Sequence, residues 1–112
     1  MISYKFNLYI EQGSDYSKEI ILYDEYNNVI NLTGYNVVAT LKRSILSTTE
    51  ILFNIEVINT INGKIKISLT NGTTTILEVG KYWFNLEIIL ISSQITTKLI
   101  IDSVATINYS VI

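Results

Sequence analysis

The feature that most constrains this fold is a repeated alternation of apolar and polar residues in short runs. In residues 64–69 (KIKISL), Ile65, Ile67 and Leu69 share one face of an extended chain, and lysine and serine side chains share the other. Turn signals separate such runs, usually within about twelve residues, and no window favours a helical period over a period of two. The pattern therefore predicts an all-β protein, either a sandwich or a barrel.

Residues that tolerate a positive φ mark the predicted turns. Gly13, the pair Asn27-Asn28, Gly34 and Gly80 each lie between two β-rich runs, and Asn62-Gly63 is the strongest hairpin signal in the chain. These turns divide the chain into about eight strands, with at most one helical turn at 73–77. The predicted strands are residues 5–10, 16–23, 37–42, 52–57, 64–69, 81–91, 94–101 and 104–109.

The same pattern predicts how some strands are placed. Both faces of 16–23 are apolar at its far end, which predicts a central strand. The polar stretch 44–50 (SILSTTE) is interpreted as a connection that crosses between sheets. A break at Asp102-Ser103 separates the last two strands, and we expect 104–112 (VATINYSVI) to be an edge that a partner covers.

The composition limits the function classes. At 112 residues the chain forms one domain, spanning residues 1–112. Apolar residues make up 48% of it and charged residues only 16%, so we expect part of the surface to be buried against other chains. The net charge is −2 and Lys42-Arg43 is the only adjacent basic pair, which argues against nucleic acid as a partner. No segment predicts a signal peptide or a membrane span, so we expect folding in a cytoplasm.

Residues suited to catalysis or metal binding are scarce. The chain has no histidine and no cysteine, which excludes Ser–His, Cys–His and Cys- or His-based metal designs. Asp24-Glu25 would need a third group to act as a carboxylate pair. Glu11, Asp15 and Asp24 could offer oxygens to calcium, but no Asp-x-Asp-x-Asp-Gly run is present. We therefore predict no enzyme activity, no cofactor and no metal.

Aromatic residues are the main candidates for a binding surface. Tyr82 follows Gly80 just inside a long strand, where immunoglobulin-like sandwiches place a corner tyrosine whose hydroxyl returns to the preceding turn. If Tyr82 and Phe84 face the core, Trp83 faces outward, either toward a neighbouring chain or over the sheet of its own subunit. Trp83 and Tyr109 are therefore the candidate interface residues.

The order of these signals resembles that of a known family. The signals share turn or strand-start positions and are IEQGSDY (10–16), Asp24, NLTGY (31–35), Gly63, Leu69-Thr70, Thr75, Gly80 and Tyr82. In this order they resemble the small immunoglobulin-like β-sandwich modules of tailed-bacteriophage virions, of the type found at the N-terminus of baseplate upper proteins. The chain departs from that pattern at Asn28, at Asn31, where the family usually has aspartate, and at Asp102-Ser103, where related modules often carry glycine.

The resemblance implies an immunoglobulin-like two-sheet antiparallel sandwich of about eight strands. It implies structural roles in turns and at strand starts for Gly13, Leu32, Gly34, Tyr35, Gly63, Gly80 and Tyr82. In the NLTGY turn, Leu32 is expected to plug the end of the sandwich, Gly34 to make the bend and Tyr35 to cover the start of the next strand.

The resemblance further implies a non-enzymatic virion protein, made in the host bacterial cytoplasm, that binds other virion subunits. The resemblance leaves two positions on the particle open: a capsid-decorating or auxiliary protein, and a neck, tail or baseplate component. It also leaves open whether the chain forms a homo-oligomer. A carbohydrate-binding or adhesin module with exposed coplanar aromatics is the alternative function. A cellular immunoglobulin-like domain with no phage connection is a third.

Overall fold

The computed structural model describes residues 7–44 and 50–109, which form an all-β fold with one short helix. In chain order the elements of this part are β1 (Leu8–Glu11), β2 (Tyr16–Ile21), β3 (Tyr35–Lys42), β4 (Ile51–Leu52), β5 (Asn54–Asn59), β6 (Lys64–Leu69), α1 (Asn71–Ile76), β7 (Gly80–Leu90) and β8 (Ile95–Asn108). The helical turn predicted at 73–77 overlaps α1. Residues 5 and 6 of the first predicted strand, 45–49 of the predicted crossing and 110–112 lie outside the described residues.

The strands form two sheets. The five-stranded sheet has the order β1-β8-β7-β3-β4, and the three-stranded sheet has the order β2-β6-β5. The prediction of a wholly antiparallel arrangement is wrong at one pair, because β1 runs parallel to β8 with Leu8 opposite Ala105. Parallel neighbours need a long connection. Here the connection is the whole chain between the first and last strands, which a local pattern does not reveal.

The core lies between the inner faces of the two sheets. Ile65 and Ile67 of β6 are fully buried, as the alternation in 64–69 predicts, and they face the other sheet with its buried Phe84. Phe53 packs edge-on against Phe84, with ring centroids 5.4 Å apart. Burial of such side chains is the main stabilising term of a small all-β fold.

The prediction of a central strand at 16–23 is wrong. Strand β2 is an edge of the three-stranded sheet and ends at Ile21, with β6 as its partner. The apolar residues that follow serve another purpose. Leu22 is fully buried, its carbonyl accepts a hydrogen bond from Ile30 N–H at 3.0 Å, and Tyr23 forms an isolated bridge with Val29. Apolarity on both faces therefore reflects packing of the next segment, not a strand on each side.

The predicted break at Asp102-Ser103 is a bulge inside one long strand. Strand β8 continues from Ile95 to Asn108, and the register against β7 shifts twice, leaving extra residues near Asp102 and at Leu99. Asp102 has φ +50°, and its N–H donates to Asn85 Oδ1 at 2.9 Å. The described part of 104–112 is also not an edge, because β1 and β7 flank it. The expected edge for a partner is therefore occupied by the chain's own β1.

The connections gather at two ends of the sandwich. The loop end consists of residues 21–34, 58–63 and 91–95, which join β2 to β3, β5 to β6 and β7 to β8. The helix end consists of residues 12–15 and 70–79, which include α1. The candidate residues lie at these two ends and on the outer face of the five-stranded sheet.

Candidate interaction surface

Tyr82 closes a corner at the helix end. It is 6% exposed, and its hydroxyl accepts a hydrogen bond from the backbone N–H of Glu78 at 3.0 Å. The Arg43 guanidinium lies over the Tyr82 ring, 5.0 Å from its centroid, and donates to the Lys81 carbonyl at 2.9 Å. Gly80 has φ +131°, and a Cβ there would lie 2.9 Å from Arg43 Nη1. The glycine is therefore favoured for its backbone conformation, whereas the exposed, flexible end of the Arg43 side chain could move away from an added Cβ.

The NLTGY turn fixes the loop end to the core. Leu32 is 3% exposed within the core cluster, and its N–H donates to the Thr60 carbonyl at 2.8 Å. Gly34 has φ +82°, and its carbonyl accepts from the N–H of Ile91 at 2.9 Å. Tyr35 is half-buried against the same cluster at the start of β3. Leu32, Gly34 and Tyr35 therefore hold the NLTGY turn against the core and against the β7–β8 turn.

Gly63 sits where two backbone segments approach each other closely. It has φ +65°, and a Cβ at this position would lie 2.6 Å from the Ile30 carbonyl oxygen and 3.0 Å from that of Leu22. Its carbonyl accepts from Leu22 N–H at 2.9 Å. The hairpin turn therefore also holds the β2–β3 connection in place through the hydrogen bond between Leu22 and Gly63.

The turn at Gly13 docks against the helix. Gly13 has φ +85°, and the preceding Gln12 side chain donates to the Leu77 carbonyl at 2.8 Å. The buried hydroxyl of Thr74 donates to the Ser14 carbonyl at 2.7 Å. These contacts hold the first turn of the chain against α1 and give Gly13 a structural role.

The two candidate interface residues lie apart. Trp83 is half-buried on the outer face of the five-stranded sheet, between Lys42 of β3 and Val104 of β8 in register. Tyr109 is 75% exposed just beyond the end of β8, at the helix end. The two residues are therefore not brought into one patch by the fold.

The acidic residues considered for calcium are also separated. Asp15 and Glu11 lie by the helix end, where Asp15 Oδ1 accepts from Asn71 N–H at 2.7 Å. Asp24 lies at the loop end, and its Oδ1 caps a turn by accepting from Tyr26 N–H at 2.8 Å. Within residues 7–44 and 50–109, no group of three or more His, Cys, Asp or Glu side chains is placed to hold a metal ion.

The sequence pattern missed a concentration of exposed apolar side chains at the loop end. Of the twelve large hydrophobic side chains that are exposed in the described residues, seven belong to it. They are Ile21, Tyr26, Val29, Ile58, Ile61, Ile91 and Ile95. Exposed Ile and Tyr side chains concentrated at one end of a domain are typical of interaction sites, whereas scattered ones need no explanation.

Backbone hydrogen bonds join the three connections of the loop end. The β2–β3 connection is bonded to the β5–β6 turn at Leu22–Gly63 and at Leu32–Thr60, and to the β7–β8 turn at Gly34–Ile91. Within the β2–β3 connection, Asn27 has φ +62° and makes the turn expected from the Asn pair. These hydrogen bonds tie the three connections of the loop end into one unit, so they are not independent loops.

A cavity of about 410 Å³ opens beside the loop end. It lies between the β2–β3 connection and strands β7 and β8. Its lining mixes aliphatic side chains, from Val29, Ile30, Ile88 and Leu99, with polar ones, from Asp24, Glu25, Asn31, Tyr35 and Thr97. The cavity therefore combines aliphatic walls with negative charge.

A second cavity, of about 360 Å³, lies on the outer face of the five-stranded sheet beside the Asp102 bulge. Its lining places Lys42 and Lys98 together with Glu50, Glu87 and Asp102. Because cations and carboxylates are mixed there, the charges largely offset one another and select no one sign of ligand.

Two comparisons complete the description of the chain. No helix in the described residues has the length and apolarity needed to cross a bilayer. The sequence matches no known protein-family model, and no curated protein matches it significantly.

Proposed function

We propose that this chain is a non-enzymatic structural protein of a tailed-bacteriophage virion, built as an immunoglobulin-like sandwich, that binds neighbouring virion subunits. Its place would be the virion, after synthesis in the host bacterial cytoplasm, as a capsid auxiliary protein or a neck, tail or baseplate component. The observation that carries the binding function is the concentration of exposed apolar side chains at the loop end.

Strand order supports the immunoglobulin-like part of this proposal. In variable-type immunoglobulin sandwiches one sheet contains strands B, E and D, and the other contains G, F, C and C′. Here β2-β6-β5 and β8-β7-β3-β4 have these neighbours, and the order of the strands along the chain also agrees. The first strand differs from the constant-type pattern, because β1 pairs with β8 and not with β2.

The corner at Tyr82 gives independent support. In immunoglobulin domains the corner tyrosine lies near the start of strand F and bonds to backbone a few residues upstream. Tyr82 lies near the start of β7, the strand in the F position, and its hydroxyl accepts from Glu78 N–H. Topology and corner are independent observations because one concerns strand pairing and the other concerns one side chain.

The sequence supports a non-enzymatic role. General acid–base catalysis near neutral pH relies most often on histidine, and nucleophilic catalysis on an activated hydroxyl or thiol with a partner base. This chain has no histidine and no cysteine. A lattice-binding protein needs neither, because many weak copies of one contact together hold it in place.

In the part of the chain that the structure describes, the strongly exposed aromatic side chains do not form the stacking platform that the carbohydrate alternative needs. Among the described aromatic side chains, those exposed above half their area are Tyr9, Tyr26 and Tyr109. Tyr26 lies at the loop end, Tyr109 at the helix end and Tyr9 on edge strand β1. Sugar rings stack on aromatic faces that share one surface, and these three tyrosines do not.

The proposed function is tested by the protein composition of purified particles of the phage that encodes the chain. Quantitative mass spectrometry should detect this protein and give its copy number relative to the major capsid protein. A copy number in the hundreds would assign it to the head, whereas about six or twelve would assign it to the neck or baseplate. Absence from washed particles would overturn the proposal.

A further inference from the structure

We propose that the outer face of the five-stranded sheet binds a second copy of the chain, with the strands of the two copies running in opposite directions. This face is separate from the loop end, so the inference goes beyond the proposed function. It concerns self-association of the chain and does not depend on a virion partner.

Alternation along β7 defines the centre of this face. The core-facing residues of the strand are buried, and the residues between them point outward, which are Lys81, Trp83, Asn85, Glu87 and Ile89. The register places Val104 of β8 opposite Trp83 and Val38 of β3 opposite Glu87. Because Val38, Trp83 and Val104 are all half-buried, the face is partly apolar around the only tryptophan of the chain.

The outer face of the three-stranded sheet is different, because its charges are satisfied within one chain. Lys64 pairs with Glu19 at 3.2 Å, and Lys66 pairs with Glu56 at 3.5 Å. Most of its remaining outward positions carry serine or asparagine, which are Ser17, Asn54, Asn59 and Ser68. A polar, internally paired face of this kind is suited to solvent. The two outer faces of the sandwich are therefore not equivalent.

The lysines of the five-stranded face lack such pairing. In residues 7–44 and 50–109, no ion pair of 4 Å or less involves Lys42, Lys81 or Lys98. Lys98 lies opposite Glu87 in the register, yet the two side chains do not form an ion pair. These charges are available to a partner whose charges have a complementary arrangement.

Charges of opposite sign predominate at the two ends of this face. The half toward the helix end carries two cations and one carboxylate, which are Lys42, Lys81 and Glu50. The half toward the loop end carries one cation and two carboxylates, which are Lys98, Glu87 and Asp102. Glu11 of edge strand β1 also points outward but already has a partner within the chain. The face therefore has a positive half and a negative half.

A second copy matches this arrangement by symmetry. In a two-fold contact the same surface of each copy takes part. If the axis lies between the two sheets and runs across their strands, it reverses strand direction and places each positive half over the negative half of the other copy. Lys42 then approaches Glu87 of the second copy, and this contact occurs twice. An axis along the strands would instead oppose halves of like charge.

The face is large enough for a specific contact. Five strands spaced by about 4.8 Å span about 20 Å, and residues 81–89 extend for about 30 Å, which gives an area of about 600 Å². Pairing two such faces would bury about 1,200 Å² in total, at the lower end of the range for specific interfaces. We therefore expect a weak, concentration-dependent dimer. Trp83 lies near the centre of the face, where aromatic side chains contribute most to binding.

The first test is the association state of the full-length isolated chain. Sedimentation equilibrium from about 1 µM to about 1 mM covers the affinities expected of a small interface. The mass should rise from that of a monomer toward that of a dimer. Because Trp83 is the only tryptophan, its fluorescence maximum should shift to shorter wavelength over the same concentrations. A monomer at every concentration, or a dimer without this shift, would overturn the proposal.

Charge reversal tests the orientation of the two copies. Lys42→Glu and Glu87→Lys should each weaken self-association about tenfold, because each places like charges together twice in the dimer. An equimolar mixture of the two variants should associate about as tightly as the unmodified chain. The mixed dimer pairs the new carboxylate of one variant with the new amine of the other, and Glu87 of the first with Lys42 of the second. Failure of the mixture to recover association would contradict the proposed orientation.

Glu56→Lys is the matched control. Glu56 lies opposite Lys66 as Glu87 lies opposite Lys98, so both reversals change the net charge equally and place two lysines opposite each other. The control lies on the outer face of the three-stranded sheet and should leave self-association unchanged. Equal weakening by Glu56→Lys and Glu87→Lys would overturn the proposal. Because the isolated chain is used, these outcomes do not depend on whether the protein occurs in particles.

Discussion

Single residues at the corner and in the turns hold this fold in place through contacts that can be removed one at a time. Tyr82→Phe should lower the free energy of unfolding by about 1–2 kcal/mol, because the partly buried Glu78 N–H loses its acceptor. Urea denaturation followed by fluorescence measures the change. Tyr109→Phe, at a tyrosine that is 75% exposed, should change stability by less than about 0.5 kcal/mol. Equal losses of unfolding free energy for Tyr82→Phe and Tyr109→Phe would contradict a stabilising hydrogen bond from Glu78 N–H to the Tyr82 hydroxyl.

A second prediction concerns the glycine at the hairpin. Gly63→Ala should destabilise the protein by about 3 kcal/mol, because its φ of +65° is strained for alanine and the new Cβ would approach the Ile30 carbonyl oxygen at 2.6 Å. Gly72→Ala is the matched control, since Gly72 lies in α1 and its Cβ would meet Thr70 Oγ1 at 3.9 Å, an ordinary van der Waals contact. That control should stabilise by about 0.5–1 kcal/mol. Thermal unfolding of both variants distinguishes a required glycine from a tolerated one.

A third prediction at this scale concerns pH. Burial raises the pKa of Tyr16 from 10.0 to about 12, and its ring packs 6.4 Å from that of Phe53. The folded state therefore favours the neutral phenol. This contribution to stability is full below pH 10 and is lost as pH rises from 10 to about 12. Urea denaturation at several pH values should show a smaller decline for Tyr16→Phe. If the free energy of unfolding declined with pH identically in the unmodified protein and in Tyr16→Phe, burial of the Tyr16 hydroxyl would be contradicted.

At the scale of elements, the sequence predicts local conformation well and strand neighbours poorly. Gly13, Asn27 and Gly63 have the positive φ that their residue types favour, and 64–69 buries the face that its alternation indicates. These properties depend on a few consecutive residues. The edge position of β2 and the parallel β1–β8 pair depend on residues far apart in sequence, which periodicity does not encode.

The bulge in β8 yields a prediction for that element. Asp102 has φ +50°, a conformation that glycine adopts freely and a β-branched residue strongly resists. Asp102→Gly should change the free energy of unfolding by less than about 1 kcal/mol, whereas Asp102→Val should lower it by about 2 kcal/mol. Chemical denaturation measures both. If valine were tolerated as well as glycine, β8 would not have its bulge at this residue.

At the scale of the whole molecule, the proposed interaction surface at the loop end arises only from topology. Trp83, which alternates with Tyr82 and Phe84 in a predicted strand, and Tyr109, which ends the last predicted strand, are the sequence-based candidates, but the fold places them apart. Ile21 ends β2, Ile61 lies in the β5–β6 turn and Ile95 begins β8, so the three residues are far apart in the sequence. Only strand order brings them to one end of the sandwich, so no local motif could identify the surface.

The central claim is that the loop end faces another virion protein. The most direct measurement is zero-length carbodiimide cross-linking of intact particles, which joins carboxylates to amines in contact, followed by mass spectrometry. We predict cross-links from Asp24 or Glu25 to a lysine of a different virion protein. Cross-links only from carboxylates of the helix end, such as Glu78, or only between copies of this chain, would contradict the claim.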